Sequence, residues 1–154
     1  MTLLSRRPVI TLLTAASGFL VSCMSTTVEQ QNVNWSTYLG DPGRRHYSKL
    51  TQITPDNVNQ LELAWKYDSG ALRSGNSTMY TSPLVVDGVF YGLSPTLTAF
   101  AVNAASGEEL WRHDPGLPGG PQRGLMWWDH NGEQRLLYTA GRYVIALNPT
   151  DGSA

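Results

Sequence analysis

Few side chains in this sequence are of types and at spacings that could carry chemistry. His46, His113 and His130 are far apart, and none stands at a metal-ligand spacing from another histidine or from the single cysteine, Cys23. They read as surface or turn histidines, so no metal site is expected from them. Gly75-Asn76-Ser77 and Gly116–Gly120 are rich in small residues, but neither lies between a strand and a helix as a phosphate-cradling loop does. Trp127-Trp128 reads as packing rather than as a stacking platform. Arg123, beside Gly119, Gly120 and Pro121, reads from its neighbours alone as a solvated loop arginine.

The elements that would position these residues come from an internal repeat. Pro83–Asp114 is answered about 45 residues later, so that Ala101-Val-Asn-Ala-Ala-Ser-Gly107 recurs as Ala146-Leu-Asn-Pro-Thr-Asp-Gly152. Each copy has apolar runs separated by turn residues and ends in A-x-N-x-x-x-G. Asp87-Gly88 between two apolar runs predicts a two-residue hairpin, because both central positions of a type I′ turn need positive φ. The spacing fits propeller blades. The first blade is expected as strands at Pro83–Val86, Val89–Gly92, Leu97–Val102 and Glu109–His113. The second is expected at Leu125–Trp128, Leu136–Thr139 and Tyr143–Leu147, with a loop through Asp129–Glu133. A tryptophan answering Trp111 would fall four residues after Gly152, past Ala154. The prediction is therefore an all-β fold, a β-propeller of which about the first two blades are here, the second incomplete, so that the chain reads as an N-terminal fragment.

Composition agrees. The 154 residues carry 15% charged side chains and a net charge of −1, which gives no basis for a nucleic-acid surface. Fifteen glycines, nine prolines, five tryptophans and seven tyrosines suit tight turns between short aromatic-rich strands. At the N-terminus, Arg6 and Arg7 precede an apolar stretch at Val9–Val21, too short to span a membrane, and then Leu20-Val21-Ser22-Cys23. That pattern predicts a secretory signal over residues 1–22. Its ending resembles a bacterial lipobox, which would make Cys23 the lipidated first residue of an exported chain, followed by a polar tether over 23–33. The alternative is a non-lipidated signal with a stray cysteine.

Trp35 and Tyr38 before Gly40-Asp41-Pro42-Gly43, and Tyr47 after it, predict an ordered loop that packs its rings. Thr54 as N-cap, Pro55 at the first helical position and Asp56 in the first turn predict a short helix start. Leu61–Tyr67 alternates and predicts a strand whose L-x-x-x-W ending resembles Glu109–Trp111 in the last strand of the first blade, with an ordinary edge strand as the alternative. Such a strand, ahead of blade one, would close the last blade of a ring. Ala71–Thr81 is expected to be a polar loop leading into blade one.

With these pieces in order, residues from about Asn34 to Ala154 resemble the N-terminal part of the pyrroloquinoline-quinone (PQQ) dependent dehydrogenases, the eight-bladed quinoprotein alcohol and glucose dehydrogenase family. The matching segments are the opening W-x-x-Y-x-G-D with R-x-Y-S-x-L at Trp35–Leu50, Q-I-x-x-x-N-V-x-x-L-x-x-A-W-x-Y at Gln52–Tyr67, S-P-L-V-V-D-G-V-x-Y, A-x-x-A-x-x-G-x-x-L-W-R-x-D-P, and the R-G-x-x-x-W segment that begins at Arg123. The resemblance implies that Arg123 contacts PQQ, a planar tricarboxylate to which a guanidinium offers a flat bidentate fork. It implies oxidation of an alcohol, polyol or sugar in the periplasm, with Ca²⁺ as a second cofactor and electrons passed to a quinone or cytochrome c. It also implies that the catalytic aspartate and the Ca²⁺ ligands lie in later blades.

Two departures bear on specificity. Tyr80 stands where alcohol-type members carry a glutamate, and Leu117-Pro118-Gly119-Gly120 replaces a vicinal cysteine pair of methanol-type members, which leans toward the sugar or polyol branch. The rival reading is a non-enzymatic propeller lipoprotein of PQQ-like repeats that acts as an outer-membrane assembly scaffold. The preamble Trp35–Leu50 and the R-G-x-x-x-W segment have no obvious use in a scaffold and favour the enzyme.

Overall fold

Two antiparallel sheets, each a simple meander, follow one another along the chain. The computed structural model describes residues 33–70, 78–118, 120 and 122–154. The signal segment, Cys23, nearly all of the tether and Gly75-Asn76-Ser77 lie outside the described residues. The first sheet is β1 (Leu84–Val86), β2 (Val89–Leu93), β3 (Ala99–Asn103) and β4 (Glu109–His113); the second is β5 (Met126–His130), β6 (Glu133–Ala140) and β7 (Tyr143–Leu147). The expected blades are therefore present, with shifts of a few residues at their ends.

Local sequence explains the turns. Asp87 and Gly88 both have positive φ, 49° and 78°, which gives β1 and β2 the register Val86↔Val89. The same geometry recurs at Asn131 and Gly132, at 52° and 82°. This corrects the expected Asp129–Glu133 loop: the tight turn lets Asp129 and His130 pair with Gln134 and Glu133, and the ladder continues to the turn.

The repeated A-x-N-x-x-x-G motif is a docking platform for tryptophan. Asn103 Oδ1 accepts from the amides of Ala105 and Ser106, at 2.9 and 3.1 Å, and Asn148 Oδ1 accepts from that of Thr150 at 2.9 Å. Each turn closes on a glycine with φ above 70°, Gly107 at 74° and Gly152 at 72°. The indole of Trp65 lies on Gly107 and donates to Ala104 O at 3.0 Å; that of Trp111 lies on Gly152 and donates to Pro149 O at 2.8 Å. A Cβ on either glycine would come within 2.7 Å of the ring above it, so glycine is required twice over. In this way Trp65 and the last strand of the first sheet each lock onto the turn that follows a third strand.

The main core lies between the sheets. Leu84, Tyr91, Leu93, Ala99, Ala101 and Trp111 pack with Leu125, Leu136, Tyr138, Ala140 and Leu147 in one buried cluster. Alternation along β5 splits the tryptophan pair. Trp127 packs on this core against Tyr91, ring centroids 5.7 Å apart, while Trp128 on the other face is exposed. Only Trp127 meets the expectation of core packing. Inside the cluster the Tyr138 hydroxyl is buried with no hydrogen-bond partner among the described residues. Burial, with the charge of Asp114 adding to it, pushes the hydroxyl pKa up to about 12. Tyr138→Phe removes this stranded group, so it is expected to leave stability unchanged or raise it by up to about 1 kcal/mol, read as the midpoint of thermal unfolding.

The other face of the first sheet is covered by the segment Leu61–Gly70. Trp65 meets Phe90 edge to face, and the Tyr67 and Phe100 ring centroids are 4.7 Å apart. Arg112 ties the segment down by donating to Ser69 O, to the Tyr67 hydroxyl and to Glu109 Oε2. Arg112, then the Tyr67 hydroxyl, hold the Glu109 carboxyl below its usual range. The segment pairs with no strand among the described residues, and Leu61 and Leu63 are exposed. The expected helix start is shorter and later than the sequence predicts. A 3-10 turn covers Val58–Gln60 with Asn57 at its N-cap. Asn57 Oδ1 accepts from Thr54 N and Asn57 Nδ2 donates to Gln52 O, so this asparagine, rather than Thr54, organises the turn.

Candidate functional site

Arg123 sits where the two sheets are joined at the start of β5. Ser82 N donates to Arg123 O at 3.0 Å, and Ser82 and Gly124 form an isolated parallel bridge. The approach is possible only at glycine. Gly124 has φ of 136°, and a Cβ there would lie 2.6 Å from Ser82 O. The Arg-Gly pair thus has a physical meaning: the glycine lets the first sheet's entry strand clamp the backbone, and the clamp fixes where the arginine side chain leaves it. Gly124→Ala is expected to lower stability by about 1–3 kcal/mol, through a strained φ and a backbone clash, with a drop in the thermal midpoint as the measure.

The Arg123 side chain is exposed and lines a cleft of about 690 Å³. The walls come from three parts of the chain. Gln122, Arg123, Gly124, Leu125 and Met126 come from the entry to β5; Leu137, Tyr138, Thr139 and Val144 from β6 and β7; Tyr38 and Arg44 from the loop that precedes both sheets. Thr139 Oγ1 donates to Gln122 Oε1 at 3.3 Å, which ties the residue next to Arg123 to β6. Among the described residues no aspartate or glutamate lines the cleft, and neither Arg44 nor Arg123 forms an ion pair. A cleft of this size, cationic and walled by apolar and aromatic groups, is suited to a planar anion.

The preceding loop reaches this place because it is sewn to the edge of the first sheet. Trp35 and Val85 exchange both backbone hydrogen bonds, 2.6 and 3.1 Å. Asn34 and Asp87 add a reciprocal pair at 3.0 Å each. The Trp35 ring then lies on Gly40. The loop is ordered as expected, but one of its rings is not packed: Tyr47 is 72% exposed. Tyr38 and Arg44 are functional candidates that the sequence does not reveal, since nothing in it shows that residues 34–47 fold back onto β1.

The other residues considered earlier stay apart. His46 is on the exposed loop, His113 ends β4, and His130 ends β5, where Asn131 Nδ2 lies 3.1 Å from its Nε2. Among the described residues no three His, Cys, Asp or Glu side chains come together as a metal cluster would. Tyr80 is exposed and does not line the cleft.

Comparison with known proteins gives a consistent picture. Residues 35–154 match the family described as PQQ, glucose/ethanol/alcohol dehydrogenase, beta-propeller domain. The chain is 40% identical over 104 residues to the 1-butanol dehydrogenase (cytochrome c) of Thauera butanivorans, covering 68% of this chain and 14% of that protein. It is 37% identical over 128 residues to the dehydrogenase subunit of the alcohol dehydrogenase (quinone) of Komagataeibacter europaeus, covering 77% of this chain and 16% of that one. Among solved structures it is similar to quinohemoprotein alcohol dehydrogenase from Comamonas testosteroni, with a TM-score of 0.68, 27% identity, and coverage of 79% of this chain and 18% of the other. A europium-containing methanol dehydrogenase shares the fold, with a TM-score of 0.65 at 24% identity, over 80% of this chain and 22% of the other. The chain thus spans less than a quarter of the length of each of these proteins.

Proposed function

This chain belongs to the family of PQQ-type glucose, ethanol and alcohol dehydrogenase β-propeller domains, and from that premise we propose that it supplies cofactor-binding structure to a PQQ-dependent enzyme that oxidises a small alcohol. The observation that carries the proposal is Arg123, clamped by Ser82 through Gly124, in a cleft without carboxylates.

The residues present fit the group. PQQ is flat and carries three carboxylates; the cleft offers arginine, tyrosine and apolar walls and no like charge. Arg123 would bind a carboxylate through two parallel N–H donors. Gln122, held by Thr139, would keep the entry to β5 in register beneath it. When bound, PQQ would supply a quinone carbonyl as the hydride acceptor for alcohol oxidation, and a hard cation such as Ca²⁺ would supply Lewis acidity. That cation, and the carboxylate base, would be held by other parts of the enzyme.

The relatives named above are alcohol dehydrogenases, and this outweighs the lean toward sugars or polyols drawn from Leu117–Gly120. It likewise favours the enzyme over an assembly scaffold. Electrons would pass to a respiratory quinone or cytochrome c. The export signal and the Leu20–Cys23 ending support placement on the periplasmic face of a bacterial membrane, anchored by lipid at Cys23. Leu61–Tyr67, with Leu61 and Leu63 exposed, would join the last blade of the ring.

The test is reduction of an artificial electron acceptor by the full-length protein reconstituted with PQQ and Ca²⁺. Turnover on primary alcohols such as ethanol or 1-butanol supports the proposal. Absence of turnover with any alcohol, polyol or sugar, in protein shown to be folded, would refute it.

A further inference from the structure

We propose that Arg44, on the loop preceding the sheets, is a second anion-binding residue of the cleft and takes a carboxylate of the bound cofactor together with Arg123. The inference rests on the reading that the cleft holds PQQ, and it adds a residue outside the R-G-x-x-x-W segment.

The loop carries two adjacent arginines and brings only one of them, Arg44, to the cleft. Arg45 is bound to Asp41 of the same loop, Nε to Oδ2 at 2.7 Å, and that contact holds the Asp41 carboxyl below its usual range. Among the described residues Arg44 pairs with no carboxylate. Its backbone is in the left-handed region at φ of 53°, its amide donates to Asp41 O at 2.9 Å, and its guanidinium lies over the Tyr38 ring, 5.8 Å from the centroid. Arg44 and Tyr38 both line the cleft into which Arg123 projects; Arg45 does not.

Three physical points turn this placement into a role. Two cations on one cleft with no anion between them repel each other, so the site is electrostatically incomplete and gains most from a ligand carrying several negative charges. The single loop carboxylate that could neutralise Arg44 is already occupied by Arg45. Finally, Arg44 is preorganised. The Trp35–Val85 and Asn34–Asp87 hydrogen bonds anchor the loop to the first sheet, and the His46 amide donates to Leu39 O at 3.2 Å to close it, so little ordering remains to be done on binding.

The experiment is a titration of the full-length apo protein with PQQ, followed by quenching of tryptophan fluorescence, at low and at physiological salt. Arg44→Asn suits the left-handed backbone and is expected to weaken binding about fivefold, the loss of one partly screened charge-assisted contact. Its affinity should also depend less steeply on salt. Arg44→Lys should lose less than Arg44→Asn, because the charge remains while the flat face over Tyr38 is lost. Arg44→Glu should lose more than Arg44→Asn, and it provides the same reading if the asparagine variant does not fold. Lys49→Gln, which removes a charge from the same stretch but away from the cleft, should have no effect. If Arg44→Asn and Arg44→Glu bind PQQ as the parent does while Arg123→Gln binds weakly, the inference about Arg44 fails and the cofactor reading stands. If the parent protein binds no PQQ, both fail. An equal loss in Lys49→Gln would show a general charge effect and would also overturn the role of Arg44.

Discussion

Replacing Arg123 by glutamine is expected to weaken PQQ binding by about 100-fold, because two charge-assisted hydrogen bonds to one carboxylate are lost together. Glutamine keeps a hydrogen-bond donor but lacks the charge, the fork and part of the reach, so the loss reports all three together. Arg123→Lys should fall between the two, since it keeps the charge but not the fork. The fold should be untouched: the side chain is exposed, and the contacts that hold this point of the chain are made by the Arg123 carbonyl and by Gly124. Equal affinity of parent and glutamine variant, with unchanged thermal midpoints, would remove Arg123 from the site.

The second large effect concerns the fold that carries the site. Trp111→Ala is expected to cost about 3–5 kcal/mol, the range for deleting a large buried aromatic. Trp111 is 8% exposed, its ring fills the space above Gly152 and lies 6.0 Å from that of Tyr91, and its indole N–H satisfies the buried carbonyl of Pro149. Trp111→Phe keeps most of the ring and loses the donor. It should cost about 0.5–1.5 kcal/mol, the loss of one hydrogen bond, because the Tyr91 hydroxyl still donates to the Pro149 carbonyl at 3.4 Å. The ordering of the two variants in thermal unfolding is the check: if phenylalanine is as damaging as alanine, the hydrogen bond and not the packing dominates the platform.

The same tryptophan marks how far the amino-acid sequence could be read. The recurrence of A-x-N-x-x-x-G with its glycine, the Asp87-Gly88 turn and the alternating apolar runs are local features with periods of their own, so the strands and their order followed from them. What the platform does was harder to see. Trp65 and Trp111 serve the same role on Gly107 and Gly152, although one belongs to a paired strand and the other to a segment with no strand partner among the described residues. A repeat in sequence shows that two pieces are equivalent, but it does not show which neighbour each piece grips.

The candidate site was legible only in part, for a related reason. Arg123 stood out through the motif around it. Its clamp depends on Ser82, and the cleft on Tyr38 and Arg44; these contacts cross from one end of the described chain to another and leave no period or spacing in the sequence. The loop 34–47 was expected to be ordered from its aromatics and turn residues. That it docks on β1 through Trp35 and Val85 depends on the edge strand offering free backbone groups at that point, which only the assembled sheet reveals. Tyr47 has the residue type of a packed ring, and its exposure shows that residue type alone does not decide burial.

The central claim is that the cleft beside Arg123 is where the cofactor's carboxylates are held. A crystal structure of the full-length protein grown with PQQ tests this most directly. The account predicts the quinone between the entry to β5 and the loop 34–47, with a carboxylate within about 2.7–3.2 Å of the Arg123 guanidinium nitrogens. PQQ bound elsewhere, or bound here with Arg123 turned to solvent, would contradict it.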